Sequence, residues 1–209
     1  MAVECKVICG NKEATIKIKR PSFKSVRKAY REINSKDIAT RYEMVSKALL
    51  KAHQSGLSGY QNTCALQVSY ALNKSQMFIE QYLAREVKKQ PQGIEDNSIA
   101  LGDDGHNYII IIRVETLNKF LMLQNVWGNA DESYNPKRMQ TKQENINFYN
   151  NEFSKFSKNG VVAMIISGWS DASGHITLWD GEEKEFLDNS NYLMQLDCIV
   201  KELYFWELK

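Results

Sequence analysis

Two short stretches carry residue types suited to nucleophilic chemistry. In GYQNTCALQVSYALN, residues 59–73, Cys64 follows a polar, glycine-led turn and opens an amphipathic helical pattern. A helix N-terminus holds roughly half a positive charge and unpaired N–H groups, which favour a thiolate over a thiol. The same N–H groups suit an oxyanion hole, with Asn62 as a candidate oxyanion or positioning residue. A core cysteine in a first helical turn is the plainer reading. In GWSDASGHITLWDG, residues 168–181, His175 follows a Ser/Asp/Gly loop and begins an alternating strand. His175, Thr177 and Trp179 point one way, Ile176 and Leu178 the other. A cysteine nucleophile needs such a base within hydrogen-bond reach, and a third group to orient the base.

The third group follows from strand arithmetic. Asp180-Gly181 reads as a two-residue hairpin turn. Trp179 then faces Glu182, Thr177 faces Lys184 and His175 faces Phe186. Asp188 lies on the His175 face one diagonal step away, about 7–8 Å between backbones. Asp180 sits at the turn, roughly 15 Å along the strand from His175. Asp188 is therefore the expected partner, provided that the loop holds no odd number of extra residues, since a one-residue slip flips the face.

Other elements must position these groups. Residues 2–19 read as a β-hairpin about Gly10-Asn11, with Val7 facing Ala14, Cys5 facing Ile16 and Val3 facing Ile18 on one apolar face. On that reading Cys5 is a small buried hydrophobe and Cys9 a residue beside the turn. Arg20-Pro21 breaks the strand. Phe23, Val26, Tyr30 and Ile33 then recur at helical spacing over 22–33, and Ile38, Tyr42, Val45 and Leu49 over 38–52. A third helix starts near Thr63, with Ala65, Val68 and Leu72 inward. Residues 84–107 are polar, with Pro91 and several glycines, and read as a loop insertion. A strand over 108–114, a helix over 117–126 and an Asn/Lys/Gln-rich stretch over 129–159 follow. Strands over 161–166, 175–179, 185–189 and 198–208 complete the chain. Helices first and antiparallel strands later make an α+β layout, in a single domain over 1–209.

Composition narrows the classes. With 209 residues and 43% hydrophobic content the chain can bury a real core, and a net charge of +2 leaves no nucleic-acid footprint. The longest apolar runs are too short to span a bilayer, so no membrane insertion is expected. MAVECKVICG lacks a signal-peptide pattern, which predicts synthesis in the cytoplasm and export by a route needing no such signal. The cysteines at 5, 9, 64 and 198 and the histidines at 53, 106 and 175 form no metal-ligand spacing, so no metal is expected. His53 suits the C-terminal end of its helix, and His106 reads as solvated.

The chain resembles the type VI secretion amidase effectors of family 4, papain-like cysteine peptidases of the NlpC type. The likeness rests on RPSF at 20–23, NTCALQVSYALN at 62–73, YIIIIRVETLNKFL at 108–121, GWSDASGHITLWDG at 168–181 and YFWEL at 204–208. These pieces occur in the family's order and span most of the chain after residue 19.

The resemblance implies a papain-like fold, with N-terminal helices packed on an antiparallel sheet that carries the catalytic histidine. It implies Cys64 as nucleophile, His175 as base and Asp188 as orienting acid. It further implies an antibacterial toxin that hydrolyses the γ-D-glutamyl–meso-diaminopimelate bond of the peptidoglycan stem peptide in the periplasm of a target cell, without cofactor or metal. Its partners would be the stem peptide, the secretion machinery and a cognate immunity protein that plugs the cleft, and a homodimer is compatible with it. An acyltransferase on the same Cys-His scaffold, or a non-catalytic wall-binding domain, are the alternatives. Three departures stand out. Gln67 replaces the usual basic residue after the cysteine motif and is assigned no catalytic role. Phe186 and Ser190 stand where some relatives have cysteines flanking the acid, so that disulfide is missing. The hairpin at 1–19 and the insertion at 84–107 look like additions to a shorter core.

Overall fold

The structure, a computed structural model, describes residues 3–10, 12–18, 20–57, 59–79, 99–101, 109–170 and 172–209. Strands β1 (Val3–Cys9) and β2 (Lys12–Ile18) pair as an antiparallel hairpin. Its register sets Val3 opposite Ile18, Cys5 opposite Ile16 and Val7 opposite Ala14, as the turn at Gly10 predicts. Helix α1 (Phe23–Asn34) begins where Ser22 caps it, its hydroxyl accepting from Ser25 N at 3.3 Å. Phe23, Val26, Ala29, Tyr30 and Ile33 form its buried stripe.

The helix expected over 38–52 is two helices, α2 (Ile38–Glu43) and α3 (Lys47–Gln54). Ser46 divides them. Its buried hydroxyl accepts from Leu49 N at 3.4 Å and starts a new helix, a local bond that competes with continuation of the first. Tyr42, Val45 and Leu49 are buried as the periodicity predicts, while Ile38 is only partly covered. His53, in the last turn of α3, packs tilted against Tyr42 with ring centroids 5.3 Å apart, and its Nδ1 meets the Tyr60 carbonyl at 2.9 Å.

Helix α4 (Cys64–Lys74) is buried on all sides from Ala65 to Asn73. Such burial favours partners for the polar side chains, and Ser69 and Asn73 find theirs on β4 and its surroundings. Ser69 Oγ donates to Ile111 O at 3.0 Å and accepts from Ile111 N at 3.2 Å. Asn73 Nδ2 donates to Ile109 O at 3.0 Å, and its Oδ1 accepts from Ile79 N at 3.0 Å. Two short strands, β3 (Ile99–Leu101) and β4 (Ile109–Ile111), pair antiparallel. One edge of β4 is thus held by β3, and Ser69 and Asn73 satisfy backbone groups that β3 leaves over. The insertion expected at 84–107 lies outside the described residues except at 99–101, where the apolar Ile-Ala-Leu run pairs as a strand rather than looping.

The strand and helix expected over 108–114 and 117–126 are shifted. The strand stops at Ile111, and α5 runs from Val114 to Leu121. Val114 is β-branched and reads as strand, but it is buried against the main core, and Glu115 puts a negative charge into the positive end of the helix. Within 129–159, α6 (Lys142–Asn151) is capped by Thr141, whose hydroxyl accepts from Glu144 N at 3.2 Å. Its periodic signal is weak because a core-facing position is Asn145. That fully buried amide donates to Val200 O at 2.8 Å and accepts from Val200 N at 2.8 Å.

The main sheet is antiparallel, in the order β5 (Lys137–Arg138), β9 (Ile199–Glu207), β6 (Gly160–Ser167), β7 (Gly174–Asp180), β8 (Glu185–Phe186). Alternation divides the core. Val161, Ala163, Ile176 and Leu178 pack with α1, α4 and α5. Val162, Met164, Ile166 and Trp179 pack with Phe148, Phe153 and Phe186 on the other face. A central strand covered on both faces explains the unbroken apolar run of β6.

The turn after β7 differs from the expected one. Trp179 faces Phe186 and Asp180 faces Glu185, so the loop is the four residues 181–184 rather than Asp180-Gly181. Asp180 Oδ1 accepts from Glu182 N at 3.0 Å and Glu183 N at 3.2 Å, which closes the wider loop from inside. The strand expected over 185–189 is reduced to Glu185–Phe186. The loop has gained an even number of residues, so the face assigned to Asp188 is unchanged.

Candidate active site

Cys64 is the first residue of α4, with Thr63 in the cap position and no side-chain cap bond. The uncapped N–H groups stay available to the sulfur. His175 is the second residue of β7. Gly174 precedes it because a Cβ there would collide with the Met164 carbonyl oxygen of the neighbouring strand. The glycine allows β7 to pair with β6 up to the point where the imidazole leaves the sheet.

The structure brings the three expected residues together. His175 Nε2 lies 2.7 Å from Asp188 Oδ2, and the ring and the Cys64 thiol are close enough for each to shift the pKa of the other. A carboxylate only accepts, so Nε2 carries the proton and Nδ1 is left for the sulfur. The ring is nearly buried and sits edge-on to Tyr192 at 4.8 Å, which is itself edge-on to Trp169 at 4.7 Å. Burial, with the Asp188 charge, pushes the Tyr192 phenol up to about 12, so this wall of the site is neutral.

The electrostatics run in one direction. Burial raises the Cys64 pKa, but the His175 charge, its hydrogen bond and the backbone N–H groups of Ile176 and Ala65 outweigh this, and the thiol sits below its ordinary value. Burial lowers the His175 pKa, but the Cys64 charge and the Asp188 hydrogen bond raise it well above the usual imidazole value. Burial likewise raises Asp188, and the bonds from His175 and Ser190 bring it below the ordinary carboxylate value. A thiolate–imidazolium pair braced by a carboxylate is the state these shifts favour.

Ser190 is the residue that sequence reasoning missed. Its hydroxyl donates to Asp188 Oδ1 at 2.6 Å and accepts from His175 Nε2 at 2.9 Å, and its N–H reaches the same Oδ1 at 3.2 Å. The spacing Asp-x-Ser, in which a side-chain oxygen accepts from the N–H two residues on, was the available signal. Asp180 stands apart. It is buried at the far end of β7 and pairs with Arg27 at 3.0 Å.

Two cavities meet at the thiol. One, of about 500 Å³, is lined by Cys64, His175, Asp188, Trp169 and Tyr192. The other, of about 370 Å³, is lined by Gly59, Arg113 and Lys119. Asn62, Cys64, Ala172 and Gly174 line both, so the cleft passes over the sulfur and Asn62 borders it on either side. Among the described residues no group of His, Cys, Asp and Glu could hold a metal ion. No described helix is long and apolar enough to cross a membrane. His106 and the side chains of Cys5 and Cys9 lie outside the described residues.

The fold has solved counterparts. The effector Tae4 from Salmonella typhimurium, in complex with the immunity protein Tai4 from Enterobacter cloacae, superposes with a TM-score of 0.63 at 23% identity, over 91% of this chain and 100% of that one. Tae4 from Enterobacter cloacae does so with a TM-score of 0.64 at 22% identity, over 93% of this chain and 100% of that one. At these identities the likeness is one of fold, an α+β arrangement of helices on an antiparallel sheet. No curated relative matches the chain. The family model for type VI secretion system amidase effector protein 4 matches residues 60–206, a span that runs from just before Cys64 to β9. A match over most of the chain, with the same fold, makes this protein a member of the Tae4 family of type VI secretion amidase effectors, and thus a hydrolase.

Proposed function

We propose that the chain is an antibacterial peptidoglycan amidase that cuts the γ-D-glutamyl–meso-diaminopimelate bond of the stem peptide, with Cys64, His175 and Asp188 as its catalytic residues. The observation that carries this reading is the continuous relay from the Cys64 thiol through His175 to Asp188, set in a cleft open on both sides of the sulfur.

The Cys64 thiolate attacks the γ-carbonyl, and the C–N bond of the amide breaks as the thioester forms. The N–H groups at the start of α4, with Asn62 beside them, receive the oxyanion. The proton on His175 Nδ1 passes to the leaving amine. The ring then takes a proton from water, whose oxygen attacks the thioester and releases the acid and the thiol. Asp188 keeps Nε2 protonated throughout and offsets the imidazolium charge. The chain acts in the periplasm of a target cell after delivery by the secretion machine. A cognate immunity protein seated over the cleft protects the producer, as Tai4 accompanies Tae4 in the solved complexes.

The test is cleavage of purified diaminopimelate-containing muropeptides, read as release of the diaminopimelyl amine. Wild type should cleave and Cys64→Ala should not. Equal cleavage by both overturns the nucleophile; cleavage by neither overturns the substrate.

A further inference from the structure

The larger cavity contains a cation that the relay does not use. Arg41 of α2 reaches Thr63 Oγ1 with one terminal nitrogen at 2.9 Å and Asn34 O with the other at 2.8 Å. A guanidinium has five N–H groups, and these bonds engage two. Its Nε is buried without a partner, as are those of Arg20 and Arg27, so what sets Arg41 apart is the carboxylate it lacks. Among the described residues no carboxylate pairs with it, whereas the part-buried Arg20 and Arg27 hold Asp131 at 3.2 Å and Asp180 at 3.0 Å. Asp37, one turn earlier in the sequence, is taken up by Thr40 N and Oγ1 at 2.9 and 2.8 Å.

Gln67 supplies a second observation beside it. It is 4% exposed and lines the same cavity, three residues after the nucleophile. Its Nε2 donates to Thr63 Oγ1 at 3.3 Å, the oxygen that Arg41 also holds. Its Oε1 is buried with no partner. A buried acceptor without a donor is costly, and the half-buried Arg41 keeps N–H groups that face no anion. Side by side in one cavity, they offer donors for a carboxylate and an acceptor for an ammonium or amide N–H.

We propose that Arg41 and Gln67 form a subsite for an α-amino-acid head group, Arg41 holding its carboxylate and the Gln67 carbonyl accepting from its ammonium. The cavity also contains His175, which must deliver a proton to the leaving amine, so the subsite takes the amine side of the cut. Resting on the amidase reading above, the head group is the free D-centre of diaminopimelate, which carries both charges. Lysine at that position keeps the ammonium and lacks the carboxylate.

Three muropeptides test this, with meso-diaminopimelate, its amidated form, or L-lysine as third residue. Wild type should favour the first by roughly 10–100-fold in kcat/KM, the range for charge-assisted bonds. Arg41→Gln should erase that preference, chiefly through KM. Gln67→Leu should weaken all three alike. A preference that survives Arg41→Gln overturns the proposal. If that variant fails to fold, Arg41→Lys, which keeps the charge and loses the fork, is read in the same way and should narrow the preference. Alkylation of Cys64 gives a readout independent of the amidase reading. The rate ratio of anionic iodoacetate to neutral iodoacetamide should fall several-fold in Arg41→Gln. An unchanged ratio overturns the anion subsite even if no muropeptide is a substrate. A fallen ratio beside three uncleaved muropeptides supports the subsite and sinks the substrate instead.

Discussion

Ser190 clamps Asp188: its hydroxyl donates to Oδ1 at 2.6 Å while the other carboxylate oxygen holds the His175 ring at 2.7 Å. A carboxylate bonded at both oxygens has one orientation, and the imidazole inherits it. Ser190→Ala should lower kcat by roughly 5–10-fold with little change in KM, the size of one lost hydrogen bond. Steady-state kinetics on a defined muropeptide, with a thermal melt alongside, checks this. A variant with wild-type kcat leaves the hydroxyl without a role in the relay.

The two aspartates of this region should fail in opposite ways. Asp188→Ala removes the acceptor for Nε2 and should lower turnover by roughly 10²–10⁴-fold while the protein still folds. Asp180→Ala removes the carboxylate that closes the 181–184 loop and pairs with Arg27, so it should cost roughly 2–3 kcal/mol of stability and spare the chemistry. Parallel melts and kinetics distinguish them, and the reverse pattern sinks the assignment.

Activity should follow a broad bell in pH. The acid limb is protonation of Cys64, which lies below the ordinary thiol value because the His175 charge and hydrogen bonds outweigh burial. The alkaline limb is loss of the His175 proton. Burial opposes that proton, but the Cys64 charge and Asp188 retain it and raise the ring to about 10. Between the limbs the pair is thiolate and imidazolium, and Asp188 stays ionised because its own value is lowered. Asp188→Asn, neutral at that oxygen, should move the alkaline limb to lower pH. An unmoved limb in kcat/KM profiles would show that the carboxylate does not support the ring.

Thiol reagents should discriminate between two cysteines. Cys64 is partly exposed at the cleft, with its pKa lowered. Cys198 is buried, its pKa raised by that burial, and its sulfur is engaged with Tyr192 O at 3.7 Å. Iodoacetamide at neutral pH should label Cys64 at least about ten times faster. Peptide mapping of a time course reads the ratio, and faster labelling of Cys198 contradicts the activated thiol.

What was legible in the chain followed local rules. The Cys64 helix start, the His175 strand and the face of Asp188 all come from periodicity, and the face survived a wrong turn because the error was even. The break at Ser46 was missed because the apolar spacing runs straight through it, and only the cap bond to Leu49 reveals it. Asn145 hid a helix because a buried amide breaks the apolar pattern that periodicity reads. Arg41 gave no local sign at all. Its approach to Thr63 brings α2 to the start of α4, 22 residues on and with α3 between them, and Arg27 reaches Asp180 only after β7 packs beside α1.

The sewing of α4 to β4 by Ser69 and Asn73 has a dynamic consequence. Those bonds, and burial on every side from Ala65 to Asn73, leave the nucleophile's helix no partial way to loosen. Beyond its uncapped first turn, the amide hydrogens of this helix should exchange with solvent only on global opening, which would put a slow-exchanging segment directly behind the residue that does the chemistry.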